Sequence, residues 1–384
     1  MKKEYFYLLI TLLILVLPNS ALADGGMVPW PPDIHLEQSA QNAIVSWNGT
    51  EEIITLSIDI EGSDNATILR VIPLPSDPSE IKEGSFESFE KLVEIMNKKI
   101  EKGGQDEGRQ FMAPGAAGIE ITFQKKIGAH DIIVVKVNNL DVFLDWVKNF
   151  VKNKGFQEKQ LSLEFKEGVA NYLKKDIKYF VFDVIESGQE KESIKPLVYR
   201  FKTDFLYYPL LISGISEISE STAEINLFLI TKEEVNLMNS YFPYYGISNY
   251  GTYNVILTKE ELGEVSGDIA DLFEGEVRVT KVGTYEKLIN LKKDLMLFPV
   301  SSWNRNLTRG NRGNEVKSLQ KILINEGVWE SRVGTTGYFG WITKTAMVRF
   351  QEKYHSEILA PINLKNGTGY FGPKSRNYFE KISL

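Results

Sequence analysis

Apolar and β-branched runs recur through most of the chain and predict a body built mainly of β-strands. The runs "NAIVSW" and "IITLSIDI" are separated by Asn48-Gly49, a dipeptide that favours a tight turn, so together they predict a hairpin. Further strands are predicted at "TILRVIPLP", "GIEITF", "DIIVVKV", "YFVFDVI", "PLVYRFK", "YPLLISGI", "AEINLFLI", "NVILT" and "VRVTKV". Helices do not separate these runs regularly, which argues against a doubly wound dinucleotide fold and favours an α+β body dominated by sheet.

Four stretches of the same region instead carry apolar residues at helical spacing, namely 86–100, 140–151, 165–173 and 259–273. The clearest of them predicts an amphipathic helix that ends before Gly155, with the apolar residues Leu140, Phe143, Leu144, Val147, Phe150 and Val151. Residues 101–118 are rich in glycine and predict a loop, which is where the body divides if it has two subdomains.

The β pattern nearly ends near residue 300, and a repeated motif follows it. Residues 336–340 and 368–372 both read TGYFG, at an offset of 32 residues. Helical patterns precede the first copy and follow both, with Asn314 as a candidate N-cap, Gly327 as a stop and Pro373 in a first turn. The pattern predicts a small all-α domain of three helices and two equivalent loops.

The first 23 residues predict a secretory signal peptide. Lys2 and Lys3 precede an apolar run over residues 5–17, and the sequence Ala21-Leu22-Ala23 provides a cleavage site. The alternative, a membrane anchor, is weaker because a spanning helix needs about 20 apolar residues. We therefore predict an exported protein without a membrane span after cleavage, with a body at 24–297, a linker at 298–306 and the helical domain at 307–384.

Charge divides the chain at the same place. Residues 304–384 hold 13 Lys and Arg against 6 Glu, whereas residues 24–303 hold 29 Lys and Arg against 44 Asp and Glu. A basic tail on an acidic body predicts that the tail meets an anionic surface, although compositional drift is the alternative. The chain has no cysteine, which excludes disulfides, thiolate metal sites and a cysteine nucleophile.

Candidate catalytic chemistry is sparse in the body. The histidines are His35, His130 and His355, and their spacing does not suit a zinc site. His130 and Asp131 are neighbours in a predicted strand, so their side chains point to opposite faces. A glycosidase needs two carboxylates, and no pair stands out among the 44. We predict no catalytic residue, no metal, no cofactor and no nucleic-acid partner.

The tail, at residues 307–384, contains "RGNRG" at 309–313 with Val316, Leu319 and Gln320, the first GYFG with Thr343, Ala346, Phe350 and Gln351, and the second GYFG with Pro373. In these residues the tail resembles the peptidoglycan-binding domain of bacterial cell-wall enzymes. The resemblance implies one domain with an internal pseudo-repeat. Trp341, Ser375 and a long loop at 355–368 depart from the family's pattern.

Seven tail residues are predicted to contact peptidoglycan: Gln320, Tyr338, Trp341, Lys344, Arg349, Gln351 and Tyr370. The aromatic rings suit stacking on sugar faces, and the cations suit stem-peptide carboxylates. For Gln320 and Gln351 the alternative is hydrogen bonding to the loop backbones. For Lys344 and Arg349 the alternative is a solvated helix charge. The large apolar residues of the motifs, including Leu319, Phe339, Ala346, Phe350, Phe371 and Phe379, are expected in the core.

The chain before the tail contains the segments "ADGGMVP", "EQSAQNAIVSWNGTEE", "VIPLPSDPSEI", "LDVFLDWVKNFVKNKGF" and "FLYYPLLIS". In these segments the body resembles an exported prokaryotic family known as a domain of unknown function, DUF 2330. We predict a secreted, periplasmic or cell-wall-associated protein that binds peptidoglycan through its tail, with a non-catalytic binding or scaffold body and possible contact with an envelope protein. The alternative is a carboxylate-dependent cell-wall glycosidase with its active site in the body.

Overall fold

A computed structural model describes residues 26–30, 34–103, 130–156, 160–216, 218–233, 235 and 253–381. The predicted signal peptide, the strand predicted at "GIEITF" and most of the loop predicted at 101–118 lie outside the described residues.

The described strands are, in chain order, β1 (Val28–Trp30), β2 (Leu36–Trp47), β3 (Glu51–Gly62), β4 (Ala66–Leu74), β5 (Pro78–Glu83), β6 (Asp131–Lys136), β7 (Tyr179–Ser187), β8 (Glu192–Ser193), β9 (Leu197–Lys202), β10 (Leu206–Tyr208), β11 (Thr222–Thr231), β12 (Tyr253–Leu257), β13 (Val277–Lys287) and β14 (Leu295–Leu297). The helices are α1 (Phe86–Gly103), α2 (Leu140–Asn153), α3 (Leu163–Lys174), α4 (Leu210–Gly214), α5 (Lys259–Val265), α6 (Gly267–Asp271), α7 (Asn314–Asn325), α8 (Trp341–Lys353), α9 (His355–Ile358) and α10 (Pro373–Lys381).

Two sheets make up most of the body. The larger has eight strands in the order β12-β13-β11-β2-β3-β9-β5, with β8 also paired to β3, and the smaller has the order β1-β4-β7-β6. The predicted hairpin is confirmed as β2 and β3, and the Asn48 side chain accepts hydrogen bonds from the N–H groups of Thr50 and Glu51, both at 2.9 Å. Only one described neighbouring pair in the large sheet, β11 with β2, is parallel.

Each sheet buries its apolar face against another layer. Helices α1, α5 and α6 cover part of one face of the large sheet, where Phe89, Leu92 and Leu262 pack with Ile44 and Phe228. The main hydrophobic core lies between the sheets and continues into the helical tail. The α+β class, with a sheet-rich body followed by a helical tail, is therefore confirmed.

Three local predictions were wrong. "YPLLISGI" is not one strand, because β10 ends before Pro209 and α4 follows. The helix predicted at 259–273 is interrupted at Ser266, whose backbone is extended. Asn314 is the first residue of α7, and Gly313 occupies the N-cap position.

The tail core contains the large apolar residues that the sequence placed there. Leu319, Phe339, Ala346, Phe350, Phe371 and Phe379 are all buried. Trp303 adds an edge contact to Phe379, with ring centroids 5.0 Å apart, and another to Phe298 at 5.9 Å. Phe298 and Trp303 lie in the predicted linker, so this connection is packed between body and tail. The predicted domain boundaries stay predictions.

A buried polar network joins the tail to the body. Lys175, at the end of α3, donates to Asp294 Oδ2 at 2.6 Å and to Asn325 Oδ1 of α7 at 3.0 Å. Asn325 Nδ2 donates in turn to the Asp294 carbonyl at 2.9 Å. Lys175 and Asp294 side chains are completely buried. The tail thus supplies a partner to an ion pair of the body, and we call Lys175, Asp294 and Asn325 the docking network.

Glu326 forms a second buried link between body and tail. Its carboxylate accepts from Lys293 of the body at 2.9 Å, and from Lys353 at 2.7 Å and Tyr354 at 2.5 Å within the tail. Burial acts to raise the pKa of Glu326, but the ammonium groups of Lys293 and Lys353 outweigh it and lower the pKa to about 2. Glu326 is therefore ionised at neutral pH despite its burial.

Candidate functional site

Two glutamines at equivalent positions hold the two TGYFG loops. Gln320 Oε1 accepts from the N–H groups of Thr336 at 2.8 Å and Gly337 at 2.9 Å. Its Nε2 donates to the Tyr338 carbonyl and to Thr343 Oγ1, both at 2.9 Å. The buried amide therefore closes the first loop from both sides.

Gln351 repeats this arrangement in the second loop. Its Oε1 accepts from the N–H groups of Thr368 at 2.8 Å and Gly369 at 2.9 Å, and its Nε2 donates to the Tyr370 carbonyl at 2.8 Å and Ser375 Oγ at 3.1 Å. Ser375 occupies the position in the second loop that Thr343 occupies in the first, so both loops offer a hydroxyl oxygen to the glutamine amide. Both glutamine amides thus form hydrogen bonds with the loop backbones, which was the alternative to peptidoglycan contact for Gln320 and Gln351.

The repeated motif has a simple physical basis. Gly337 and Gly369 adopt left-handed backbone conformations, with φ of +68° and +70°, which favour glycine. The Phe of each copy is buried, whereas the Tyr lies outside against the second glycine. A Cβ on Gly372 would lie 2.5 Å from Cε1 of Tyr370, so a larger residue there would displace the ring. Each loop thus buries one ring and presents another at the surface.

Three aromatic rings are exposed on the tail. Trp341 is 60% exposed, Tyr370 42% and Tyr338 36%. The Arg309 guanidinium lies 4.3 Å from the Trp341 ring centroid, and the Arg312 guanidinium lies 4.2 Å from that of Tyr338. We call these rings, Arg309, Arg312 and Lys344 the ring face.

Lys344 connects the two loops on this face. Its Nζ lies 5.2 Å from the Trp341 ring centroid. Its side chain also packs against the second loop, because a Cβ on Gly369 would lie 2.6 Å from Lys344 Cγ. Lys344, a predicted site residue that follows the first loop, is thereby brought beside the second loop.

The ring-face cations differ from the other tail cations in their partners. Arg349, which the sequence placed in the site, pairs with Glu330, and Arg305 pairs with Glu315. Within the described part of the chain, no carboxylate forms a salt bridge with Arg309, Arg312 or Lys344. Arg309 and Arg312 were missed as site residues, although they flank the glycines of "RGNRG". The backbone bridge of Arg312 to Tyr338 brings that segment to the first loop.

Replacing Gln320 with Leu is expected to lower the free energy of unfolding by about 1–3 kcal/mol, because two loop N–H groups and a carbonyl lose their partner. Urea unfolding of the full chain measures this loss, and Gln351→Leu should produce a similar one in the second loop. Gln160→Leu, at an exposed position, serves as the control and should change stability by less than about 0.5 kcal/mol. Equal effects at residues 160 and 320 would contradict the structural role.

The body contains a histidine–aspartate pair that the sequence did not predict. Asp131 pairs with Lys154, whereas His130 Nδ1 lies 3.0 Å from Asp183. Asp183 also accepts from Arg70 at 2.7 Å, and Arg70 reaches the Tyr199 hydroxyl at 3.3 Å. This buried cluster links β4 and β7 of the small sheet to β9 of the large one. Its residues are separated by up to 129 positions, so no local sequence signal marks it.

Among the residues that the structure describes, no group of three or more His, Asp or Glu side chains is arranged to hold a metal ion. None of the helices in the described ranges has the length and apolar character needed to cross a bilayer.

Comparison with known proteins identifies a family that matches most of the body. Residues 18–241 match the family described as "Uncharacterized protein conserved in bacteria (DUF2330)", which is more than half of the 384 residues. No curated protein matches the chain. The crystal structure of baculovirus P35 aligns with a TM-score of 0.31 and 8% identity, covering 60% of this chain and 78% of that chain.

A mutated baculovirus P35 after caspase cleavage aligns with a TM-score of 0.30 and 10% identity, covering 67% of this chain and 99% of that chain. Scores this low carry no argument about fold or function.

Proposed function

Because the chain belongs to the DUF2330 family of uncharacterized bacterial proteins, whose description states no activity, we propose a function from the tail. The protein is exported, associates with the cell wall and binds peptidoglycan through the ring face. The observation that carries this proposal is the set of three exposed rings, held in place by two equivalent loops and flanked by three cations without described carboxylate partners.

The chemistry of the ring face suits a glycan that carries short peptides. An aromatic ring offers a flat apolar surface to a sugar face, while the Tyr hydroxyl and the Trp N–H remain in water. A guanidinium stacked on a ring keeps its N–H groups directed outward in its own plane, where they can bind a carboxylate in bidentate fashion. Arg309 and Arg312 therefore suit the carboxylates of stem peptides better than Arg349, which already pairs with Glu330.

The body leaves the ring face accessible. The tail meets the body through α7 and the docking network, and Trp341 and Tyr370 keep their exposure with the body in place. We propose that the body is a binding or scaffold domain, which includes contact with an envelope protein among its possible roles. The glycosidase alternative concerns the body alone and is tested in the same assay.

Co-sedimentation with purified sacculi tests the ring face in the full chain. We expect Trp341→Ala and Arg312→Ala each to weaken binding about tenfold, since each removes an interaction of about 1–1.5 kcal/mol. Leu364→Ala removes an exposed apolar side chain of the tail, and Arg332→Ala makes the same charge change at another exposed position. Both control variants should pellet like the wild type.

Two results would contradict parts of this proposal. Equal losses for Arg312→Ala and Arg332→Ala would mean that net charge alone holds the protein to the wall, and such attraction weakens with salt. Soluble muropeptides released in the same tubes would identify an enzyme and support the glycosidase alternative over a non-catalytic body.

A further inference from the structure

A row of polar side chains crosses one face of the large sheet, away from the tail motifs. In the strand register Ala40 is opposite both Asp59 and Glu224, and Glu224 is opposite Tyr285. Residues directly opposite one another project to the same face. One strand spacing separates each successive pair, so the row extends across β3, β2, β11 and β13. Ser193 of β8 lies opposite Asp59 and extends the row by one strand.

A second row lies beside the first. It contains Asn42, Asn226 and Gly283, which are opposite one another in the register. Two residues further along the same strands, Ile44 and Phe228 pack in the cluster with α1, α5 and α6. The polar rows therefore occupy the end of this face that lies beyond the apolar cluster.

Small residues sit between the polar side chains. Ala40 lies between Asp59 and Glu224, and Gly283 lies beside Asn226. A Cβ on Gly283 would lie 3.0 Å from Lys281 Nζ and 3.2 Å from Asn226 Oδ1, so these two polar atoms converge above the glycine. Asp59 and Asn226 are buried, Glu224 is half-buried and Tyr285 is 59% exposed, so the rows open toward solvent at Tyr285.

Most polar side chains of the two rows form hydrogen bonds with one another, but Asn226 Oδ1 and the Lys281 ammonium do not. Asn226 Nδ2 donates to Asn42 Oδ1 and to Glu224 Oε1, both at 3.1 Å, and Asp59 accepts from Ser193 at 2.6 Å. Among the residues that the structure describes, however, none forms a hydrogen bond with the buried Asn226 Oδ1. Lys281 forms no hydrogen bond or ion pair with any other residue in the described ranges. A buried acceptor without a partner is costly, so its presence in a folded protein calls for an explanation.

We propose that these rows form a saccharide-binding site of the body, formed by Asp59, Glu224, Asn226, Lys281 and Tyr285. The carboxylates and the free Asn226 oxygen accept hydrogen bonds from sugar hydroxyl or amide groups, and Lys281 donates one. Tyr285, opposite Glu224, provides an exposed ring for a sugar face. This site is separate from the ring face, and nothing in the tail is needed to form it.

The balance of groups favours a sugar over a cationic peptide. A lysine- or arginine-rich peptide would also suit two carboxylates beside an aromatic ring. Lys281, however, places a positive charge beside Asn226, where it would repel such a ligand. A polyhydroxylated ligand uses all five side chains, because each hydroxyl group both donates and accepts hydrogen bonds.

Calorimetric titration of the full chain tests this site. The probe is a soluble tetrasaccharide of wall glycan without stem peptides, a choice that rests on the proposed wall location. We expect Tyr285→Ala and Glu224→Gln each to weaken binding about tenfold. Glu286→Gln makes the same charge change on the opposite face of β13 and should leave affinity unchanged. Trp341→Ala measures how much of the binding of the same probe belongs to the ring face. Melting temperatures close to that of the wild type confirm that each variant is folded.

Several outcomes would overturn the assignment. They are the absence of binding by the wild type, unchanged affinity in both row variants, or a loss of affinity confined to Trp341→Ala. Tighter binding of an oligolysine than of the tetrasaccharide would identify a cationic-peptide site instead. Sacculus pelleting of Trp341→Ala and Arg312→Ala, compared with their control variants, reports on the ring face. Normal pelleting of both variants together with an intact titration would contradict the ring-face proposal and leave the body site standing.

Discussion

Replacing Asp294 with Ala is expected to lower the free energy of unfolding of the full chain by about 3–5 kcal/mol. The change removes the carboxylate that faces the completely buried ammonium of Lys175. It also removes the acceptor of the Tyr172 hydroxyl at 2.8 Å and of the Leu211 N–H at 3.0 Å. Asn325 remains, but its amide oxygen neutralises no charge. A buried charge without a counter-charge is the reason for the large expected effect.

Urea unfolding at pH 7 measures this loss, and two comparisons define its origin. Glu220→Ala removes a carboxylate from the exposed pair with Lys287 and should cost less than about 1 kcal/mol. The double variant Lys175→Met with Asp294→Leu removes both charges and should recover much of the stability that Asp294→Ala loses. If the double variant were no more stable than Asp294→Ala, the unpaired charge would not be the cause.

Replacing Glu326 with Gln is expected to lower the free energy of unfolding by about 3 kcal/mol at pH 7 and to alter its pH dependence. Burial opposes ionisation of Glu326, but Lys293 and Lys353 lower its pKa to about 2, from an ordinary value of 4.5. A carboxyl group with a lowered pKa in the folded state contributes stability that is fully present above its unfolded pKa. That contribution is lost as pH falls from about 4.5 to about 2.

Chemical unfolding of wild type and Glu326→Gln between pH 7 and pH 2 tests the second prediction. The stability difference between the two should be largest above pH 5 and should shrink as the pH approaches 2, because the wild-type carboxyl is then protonated. Glu315→Gln is a suitable control, since its pair with Arg305 lies at the surface of the tail. A difference that stayed constant with pH would contradict the lowered pKa of Glu326.

Local signals in the sequence predicted much of the secondary structure. The Asn48-Gly49 turn defined the hairpin of β2 and β3, and the spacing from Leu140 to Val151 defined α2, because both depend on residues close in the chain. Residues 210–214 were assigned wrongly because all of them are buried. A run that is apolar on every side has no periodicity to distinguish helix from strand.

The candidate sites were harder to predict from the sequence, because they combine residues that are distant in the chain. The repeated TGYFG identified Tyr338 and Tyr370 as surface rings because each motif is contiguous. Arg312 escaped notice because its place over Tyr338 depends on a backbone pairing between segments 26 residues apart. The row of Asp59, Glu224 and Tyr285 depends on strand order and register across the sheet. Strand order and register are set by long-range pairing, so the sequence of one strand does not predict them.

The packed connection between body and tail has a consequence for avidity. Modules joined by a flexible tether sample many separations, and the length of the tether sets the effective concentration of the second binding event. In this protein Phe298 and Trp303 of the connection are buried, and Lys175 and Asp294 hold α7 through Asn325. The body and the tail are therefore held at one fixed separation and angle. If the tail and the sheet both bind glycan, both sites can be occupied together only when the glycan strands lie at the angle that this fixed geometry sets. Glycan strands at that angle gain the full multivalent increase in affinity, and glycan strands at other angles gain none.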